Sequence, residues 1–429
     1  MDFIKKEIYS QKLKKSYRLS PKDFTRNRKL PFSKVVLFMI SLVKKSLQLE
    51  LYSFMQIASK KHKSITNSAF NQARMKIKPE LFKHLITSLN NQFYTNNEER
   101  VKLWNGFRLL GCDGSTLTLP ITKELTKKYK HFVNQHTTGV LLARTSVLYD
   151  LENEIVLSGV IAPFKKGERQ LAVSQITELN KSLYQELIIL DRGYPSFDVI
   201  YQLNKLKVNY VMRAKPSFSN VTKEFMKSNM LELVTEIKSG KDASLLSNLY
   251  KNQSTEVRLL KVFLDNGEVE LLITSLTNKT KYPSKLFKEL YFKRWGIEIL
   301  YDKLKNKLLI ESFTGYTEVS ILQDFYCTLF LSNIQSLLAD EANEELKDLG
   351  VNKKYEYKIN TNLSIGFIKT RLIELFLEEN NTVDILIELE KLFIKNVIPI
   401  RPNRSFKRDT LKYRKRKKPP VTKNFKQSF

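Results

Sequence analysis

Tyr291, Arg294, Glu298 and Lys305 follow one another at spacings of three, four and seven residues in the stretch YFKRWGIEILYDKLK. An α-helix turns about 100° per residue, so these four side chains fall within about 60° of arc. A carboxylate can hold a divalent metal, while a guanidinium, an ammonium and a phenol can hold phosphate oxygens. Ile297, Leu300, Leu304 and Leu308 lie on an adjoining stripe at i, i+3, i+7, i+11, which predicts a helix over 284–308 with one edge in a core. The same four polar residues also fit a solvated face carrying an i, i+4 Arg294–Glu298 pair, worth about 0.2–0.5 kcal/mol. The helix alone leaves both readings open.

Two upstream aspartates bear on that choice. In GFRLLGCDGSTLTLP an apolar run ends at Asp113, followed by Gly114 and alternating Leu117 and Leu119. This pattern predicts a buried strand, a tight turn and a second strand. In ELIILDRGYPS the run Leu187–Leu190 predicts a strand buried on both faces, with Asp191 at its carboxyl end before Gly193 and Pro195. Open α/β sheets bind ligands at that position. Asp113, Asp191 and Glu298 are then two acids on strands that should be sheet neighbours and one on a helix able to pack against them. This is the ordering of a ribonuclease-H-like nucleic-acid enzyme. Phosphodiester transfer develops charge on in-line attacking and leaving oxygens, which two divalent ions about 4 Å apart stabilise. Magnesium takes hard oxygen donors, so clustered carboxylates serve and histidine is not needed. The remaining acids near strands have local explanations: Asp150 and Asp265 fall in hairpin turns, and Asp198 and Asp302 are ordinary helix acids.

The elements that must position these residues change character along the chain. Residues 1–100 read as helical. The segment 64–77 (SITNSAFNQARMKI) has Asn67, Gln72, Arg74 and Lys76 available on its polar side. It fits either the second helix of a DNA-binding helix-turn-helix or an ordinary bundle helix. Strand and helix patterns alternate over 101–214, a β-rich insertion spans 215–283 with a hairpin at Asp265–Asn266–Gly267, and the signature helix occupies 284–315. Amphipathic helices fill 316–400, and a basic tail, 401–429, has too few apolar residues to pack. The fold class is therefore α/β, a ribonuclease-H-like core with a β-rich insertion, flanked by an all-α N-terminal domain and C-terminal helices.

Composition narrows the partners. The chain has 429 residues, enough for two or three domains, and a formal net charge of +29. That surplus points to a polyanion, most often nucleic acid. No membrane partner is expected. The longest apolar run, around Val35–Val43, is too short to span a bilayer and is flanked by Lys34 and Lys44. The N-terminus lacks the apolar stretch of a signal peptide. Two cysteines, Cys112 and Cys327, without a CxxC pair fit a reducing cytoplasm, and His62, His84, His131 and His136 show no metal-ligand spacing.

The gapless pattern Y-x2-R-x3-E-x6-K, with GCDGSTLTLP and IILDRGYPS before it, resembles the DDE transposases of the IS4 type. The resemblance covers most of the chain, including the Leu-Pro-Phe near residue 30, SAFNQAR, the β insertion and RPNRSFKR. It implies cut-and-paste DNA transposition of a bacterial insertion sequence, with Asp113, Asp191 and Glu298 as catalytic, metal-holding acids. Two Mg²⁺ ions would occupy the site, with Mn²⁺ able to substitute. The resemblance assigns Tyr291, Arg294 and Lys305 to phosphates near the transposon end. Arg192, beside Asp191, is open to a phosphate contact or a structural salt bridge. Trp295 reads as a core aromatic. The implied partners are double-stranded DNA, as terminal inverted repeats and target, and a second copy of the chain in the DNA complex, with 316–400 as the subunit contact. A ribonuclease-H-like nuclease without strand transfer and a non-catalytic, domesticated DNA-binding regulator are the competing readings.

Overall fold

The apolar run that predicted a doubly buried strand forms the middle of a sheet. The strands are β1 (Phe107–Thr118), β2 (His131–Asn134), β3 (Thr137–Asp150), β4 (Ile155–Pro163), β5 (Gln185–Leu190), β6 (Asn209–Ala214), β7 (Glu232–Lys238), β8 (Ser254–Phe263) and β9 (Val269–Thr274). A computed structural model describes residues 1–26, 28–41, 45–59, 64–134, 137–179, 184–239, 252–348 and 355–401. Contacts divide the chain into one unit of Asn97–Ser115 with Arg144–Tyr301, and another of Met1–Asn96, Thr116–Ala143 and Asp302–Phe429.

In the first of these units the strands run in the order β4-β3-β1-β5-β6-β9-β8-β7. β5 lies parallel to both β1 and β6. The bonds Leu151 N to Leu109 O and Leu119 N to Leu141 O set β3 antiparallel to β1. A hairpin and antiparallel neighbour followed by two parallel strands is the ribonuclease-H-like order anticipated from the sequence. The β-rich segment does not stand apart. β9 pairs antiparallel with β6, and β8 and β7 extend the same sheet. The Asp265–Gly267 hairpin joins β8 to β9, with Gly267 at φ +83°. Asp150 does local work as expected: its Oδ1 accepts from the backbone of Glu152 and Asn153, both at 3.0 Å.

Alternation along the strands sorts the core into two layers. Leu110, Cys112, Ile188, Leu190 and Met212 pack with Ala172, Ile176, Val199, Ile200 and Leu203 of helices Glu168–Thr177 and Phe197–Lys205. Leu109, Leu187, Ile189, Val211 and Leu260 pack on the other side with Phe287, Leu290 and Tyr291. Residues of odd number in β1 and β5 therefore point toward the signature helix.

That helix is not the single rod expected over 284–308. It runs Leu286–Phe292, tightens through Arg294 N to Tyr291 O and Ile297 N to Arg294 O bonds (both 3.1 Å), and continues as Trp295–Asp302. These i→i+3 bonds overwind the joint, and a five-residue π turn, Lys303–Lys307, then underwinds the end. Gly296 seats the middle segment: a Cβ there would stand 3.0 Å from Leu151 Cδ2. The chain after Asp113 also departs from expectation. β1 continues through Gly114 to Thr118 without a turn. Gly114 marks a close approach instead, since a Cβ there would come within 2.9 Å of Glu168 Cγ.

The second unit is mainly helical. Its 31-residue helix Glu318–Asp348 was read as amphipathic, but it is enclosed on several sides, with Ile321, Gln323, Phe325, Leu329, Phe330, Ser332, Asn333 and Ile334 all fully buried. It serves as the core of its unit, so its buried faces offer no surface to a second subunit. Helix Asn67–Arg74 is capped by Thr66, whose side chain accepts from Ala69 N at 3.2 Å. Arg74, read as part of an available polar side, is 1% exposed. It donates to Gln323 Oε1 (2.9 Å), Thr314 Oγ1 (2.5 Å), Ser320 O (3.2 Å) and Asp324 Oδ1 (2.8 Å). It therefore cannot read a DNA groove, whereas Ser68, Asn71, Gln72, Met75 and Lys76 line a shallow surface groove. His62, His136 and the tail beyond Arg401 lie outside the described residues. No helix among the described residues is long and apolar enough to cross a membrane.

Candidate active site

The register of β1 on β5 runs from Phe107 opposite Gln185 to Gly111 opposite Ile189. Continued two residues further, the same register points Asp113 toward Asp191, the first residue after β5, and the Asp191 charge bears on Asp113. Both have odd numbers, so both share the face that carries Tyr291. Two aspartates 78 positions apart in the chain thus become neighbours because a parallel β pair is in register.

Asp113 Oδ1 accepts from Gly114 N at 2.8 Å, and its backbone carbonyl accepts from Tyr301 Oη at 2.9 Å, tying the strand to helix Trp295–Asp302. Burial pushes the Asp113 carboxyl up to about 6. Asp191 and Glu168 push the same way, against the Gly114 N–H and Arg294. A carboxyl raised in the fold favours the protonated native state, so its contribution to stability is present below its unfolded value near 4 and lost as pH rises toward about 6. In metal-free protein, Asp113→Asn is therefore expected to flatten the decline in the urea midpoint between pH 4 and pH 6. An unchanged decline would show that Asp113 is not the group responsible.

Asp191 Oδ1 accepts from Tyr291 Oη at 3.2 Å. Burial, and then the Asp191 charge, raises the Tyr291 phenol above its ordinary range, so it stays a donor. Glu298 Oε1 accepts from Arg294 Nη2 at 2.9 Å, the i, i+4 pair that the spacing allowed. The Arg294 guanidinium lies 5.5 Å from the Trp295 ring centroid and 5.9 Å from that of Tyr291. Trp295, read as a core aromatic, is 40% exposed. Arg192 is exposed and makes no ion pair among the described residues. Lys305 belongs to the helical unit, where its Nζ donates to Thr116 O at 2.8 Å and burial lowers its pKa.

Asp113 and Asp191 are therefore brought together, while Glu298 is held on Arg294. Among the described residues, no three His, Cys, Asp or Glu side chains stand close enough to one another to hold a metal ion. Sequence reading missed Glu168. It packs against Gly114, bonds to Arg144, and bears on Asp113. Its one sequence signal was Gly114, which looked like a turn.

The model of the family described as "Transposase DDE domain" matches residues 107–334. The transposase InsG for insertion sequence element IS4 from Escherichia coli (strain K12) is 22% identical over 249 residues, 57% of this chain. The chain thus spans about half of that relative's length, 54%. Among solved structures, the cryo-EM structure of the piggyBac transposase synaptic complex with hairpin DNA is similar over 94% of this chain and 86% of that one. Identity is 10% and the TM-score is 0.45.

Proposed function

We infer the chemistry from one premise: this chain belongs to the transposase DDE-domain family, and it is of the IS4 type. The proposed function is cut-and-paste transposition of an insertion sequence, by phosphodiester hydrolysis and strand transfer at the element's ends. The observation that carries this reading is the alignment of Asp113 with Asp191 beneath the helix that bears Glu298.

The donor set fits a hard divalent cation, since it offers carboxylates and no imidazole. Asp113 at about 6, buried beside Asp191, is a carboxylate whose ionised form gains from a nearby positive charge. Asp113 from within β1, Asp191 from just past the end of β5 and Glu298 from the helix would hold two Mg²⁺ ions, with Mn²⁺ as a substitute. Such ions supply charge stabilisation to the attacking and leaving oxygens of an in-line displacement. Tyr291 and Arg294 orient the phosphate beside these acids, and Arg192 adds an exposed charge next to Asp191. Lys305 contributes a further ammonium for the DNA backbone.

The charge distribution supports a DNA partner. Residues 1–96 carry 20 Lys and Arg against 5 Asp and Glu, and residues 401–429 carry 12 against 1. Neutralised phosphates release counterions, so duplex binding should fall steeply with salt. Terminal inverted repeats and target DNA are the proposed substrates, with two copies of the chain joining two ends through exposed surface within 316–400. A hairpin intermediate at the cleaved end is part of this proposal.

The test is a strand-transfer assay with a duplex carrying the inverted repeats that flank the gene, Mg²⁺ and a target plasmid. Joined product is the expected result. Cleavage without joining would make the protein a nuclease, and binding without cleavage would make it a regulator; either result overturns the proposal.

A further inference from the structure

The polar groups of the signature helix that suit phosphate are turned inward onto acids. Tyr291 donates to Asp191 and Arg294 donates to Glu298. Arg294 is 8% exposed, and its Nε is buried with no acceptor. A carboxylate oxygen engaged by a guanidinium is less available to a cation. A guanidinium buried among acids also supplies the positive charge that they would otherwise take from a metal. Ring contacts to Tyr291 and Trp295 hold the guanidinium in that place.

We propose that Arg294 is a latch that couples DNA binding to cation binding: in the free protein it holds Glu298, and a DNA phosphate draws it away and releases that carboxylate to the metal. The inference rests on Asp113, Asp191 and Glu298 being the cation-holding acids. The unused Nε donor gives the phosphate something to bind, because a buried N–H without a partner gains by acquiring one. Tyr291 acts in the same sense on Asp191, though more weakly, since it carries no charge. By linkage, the duplex tightens cation binding and the cation tightens duplex binding by the same factor.

The experiment measures Mn²⁺ affinity of the full chain without DNA, from the electron paramagnetic resonance signal of free Mn²⁺. Arg294→Met keeps a long apolar stem against Trp295 but removes the charge and the donors. It is expected to bind Mn²⁺ about tenfold more tightly than the unaltered chain. Unchanged or weaker binding in a folded Arg294→Met protein would overturn the latch. Asp191→Asn separates the two layers of inference. If it weakens Mn²⁺ binding while Arg294→Met has no effect, the site stands and the latch falls. If it too has no effect, the cation reading itself fails. Should Arg294→Met not fold, the unaltered chain still decides. Its affinity for a labelled 30-base-pair duplex, at fixed ionic strength, should rise about fivefold or more on adding Ca²⁺. No response to Ca²⁺ overturns the coupling.

Discussion

Asp191→Ala is expected to lower DNA cleavage by more than about 10³-fold while leaving duplex affinity, measured without divalent ions, within roughly threefold of the unaltered chain, and Glu298→Ala should do the same. A cation-holding acid stabilises charge that develops only as the phosphodiester breaks, so its loss falls on rate rather than on binding. The basic surplus that attracts DNA lies elsewhere, in residues 1–96 and 401–429. Neither acid is a deep structural anchor. Asp191 accepts a single hydroxyl bond from Tyr291, and the Glu298 side chain is 36% exposed. Both variants should fold, so thermal melting beside the cleavage assay makes the outcome readable. Cleavage retained in either variant would remove that acid from the site. Glu298→Ala has a second consequence: it frees Arg294 from its carboxylate, so duplex affinity should rise rather than fall if Arg294 meets phosphate.

The strand-borne half of the site was legible in the sequence because its signals are local. An apolar run of strand length ending in an acid, followed by Gly193 and Pro195, places Asp191 at the end of a parallel strand with little ambiguity. Asp113 follows from the same logic, but what comes after it does not. Gly114 carries the usual mark of a turn, yet β1 runs straight through it. The bare backbone is needed there for Glu168, a residue 54 positions later whose approach no local pattern announces. The helix half was legible in spacing and misleading in phase. An ideal 100° per residue sets Tyr291, Arg294, Glu298 and Lys305 on one face, but the i→i+3 bonds at Arg294 and the π turn after Asp302 each alter that angle. Trp295 ends up exposed, and Lys305 ends up bonded to the Thr116 carbonyl. The long helix Glu318–Asp348 was misjudged for a related reason. Its sequence reads as amphipathic, but the polar residues Gln323, Ser332 and Asn333 are all fully buried. Gln323 donates to Arg74 O at 3.0 Å and to Ile77 O at 2.8 Å, and Asn333 donates to Asn90 Oδ1 at 2.9 Å. Polar residues satisfied inside a core look like solvent-facing residues until their partners are known.

The largest effect on stability should come from Arg74→Ala, expected to cost about 3–5 kcal/mol in the helical unit and to lower its urea midpoint by about 1–2 M, read by circular dichroism. Arg74 is a guanidinium with 1% exposure whose partners come from one stretch, Thr314, Ser320, Gln323 and Asp324. Removing it does more than delete four bonds. It leaves Asp324, 14% exposed at its side chain, with a charge no longer opposed by a guanidinium. Desolvated carboxylates without a counter-charge are among the costliest defects a core can hold. Asp324 would keep its bonds from Thr314 N (2.5 Å) and Thr314 Oγ1 (2.7 Å), which soften the loss without neutralising the charge. The mechanism therefore predicts its own rescue. Arg74→Met combined with Asp324→Asn removes both charges, fills most of the space left by the arginine stem, and should recover more than half of the lost stability. A single substitution costing less than about 1 kcal/mol, or a double substitution no better than the single, would show that packing rather than this ion pair fixes helix Asn67–Arg74. The same network explains why that helix can present Asn71 and Gln72 as a fixed outer surface: its inner side is bolted to the core helix through a residue that sequence alone had assigned to the outside.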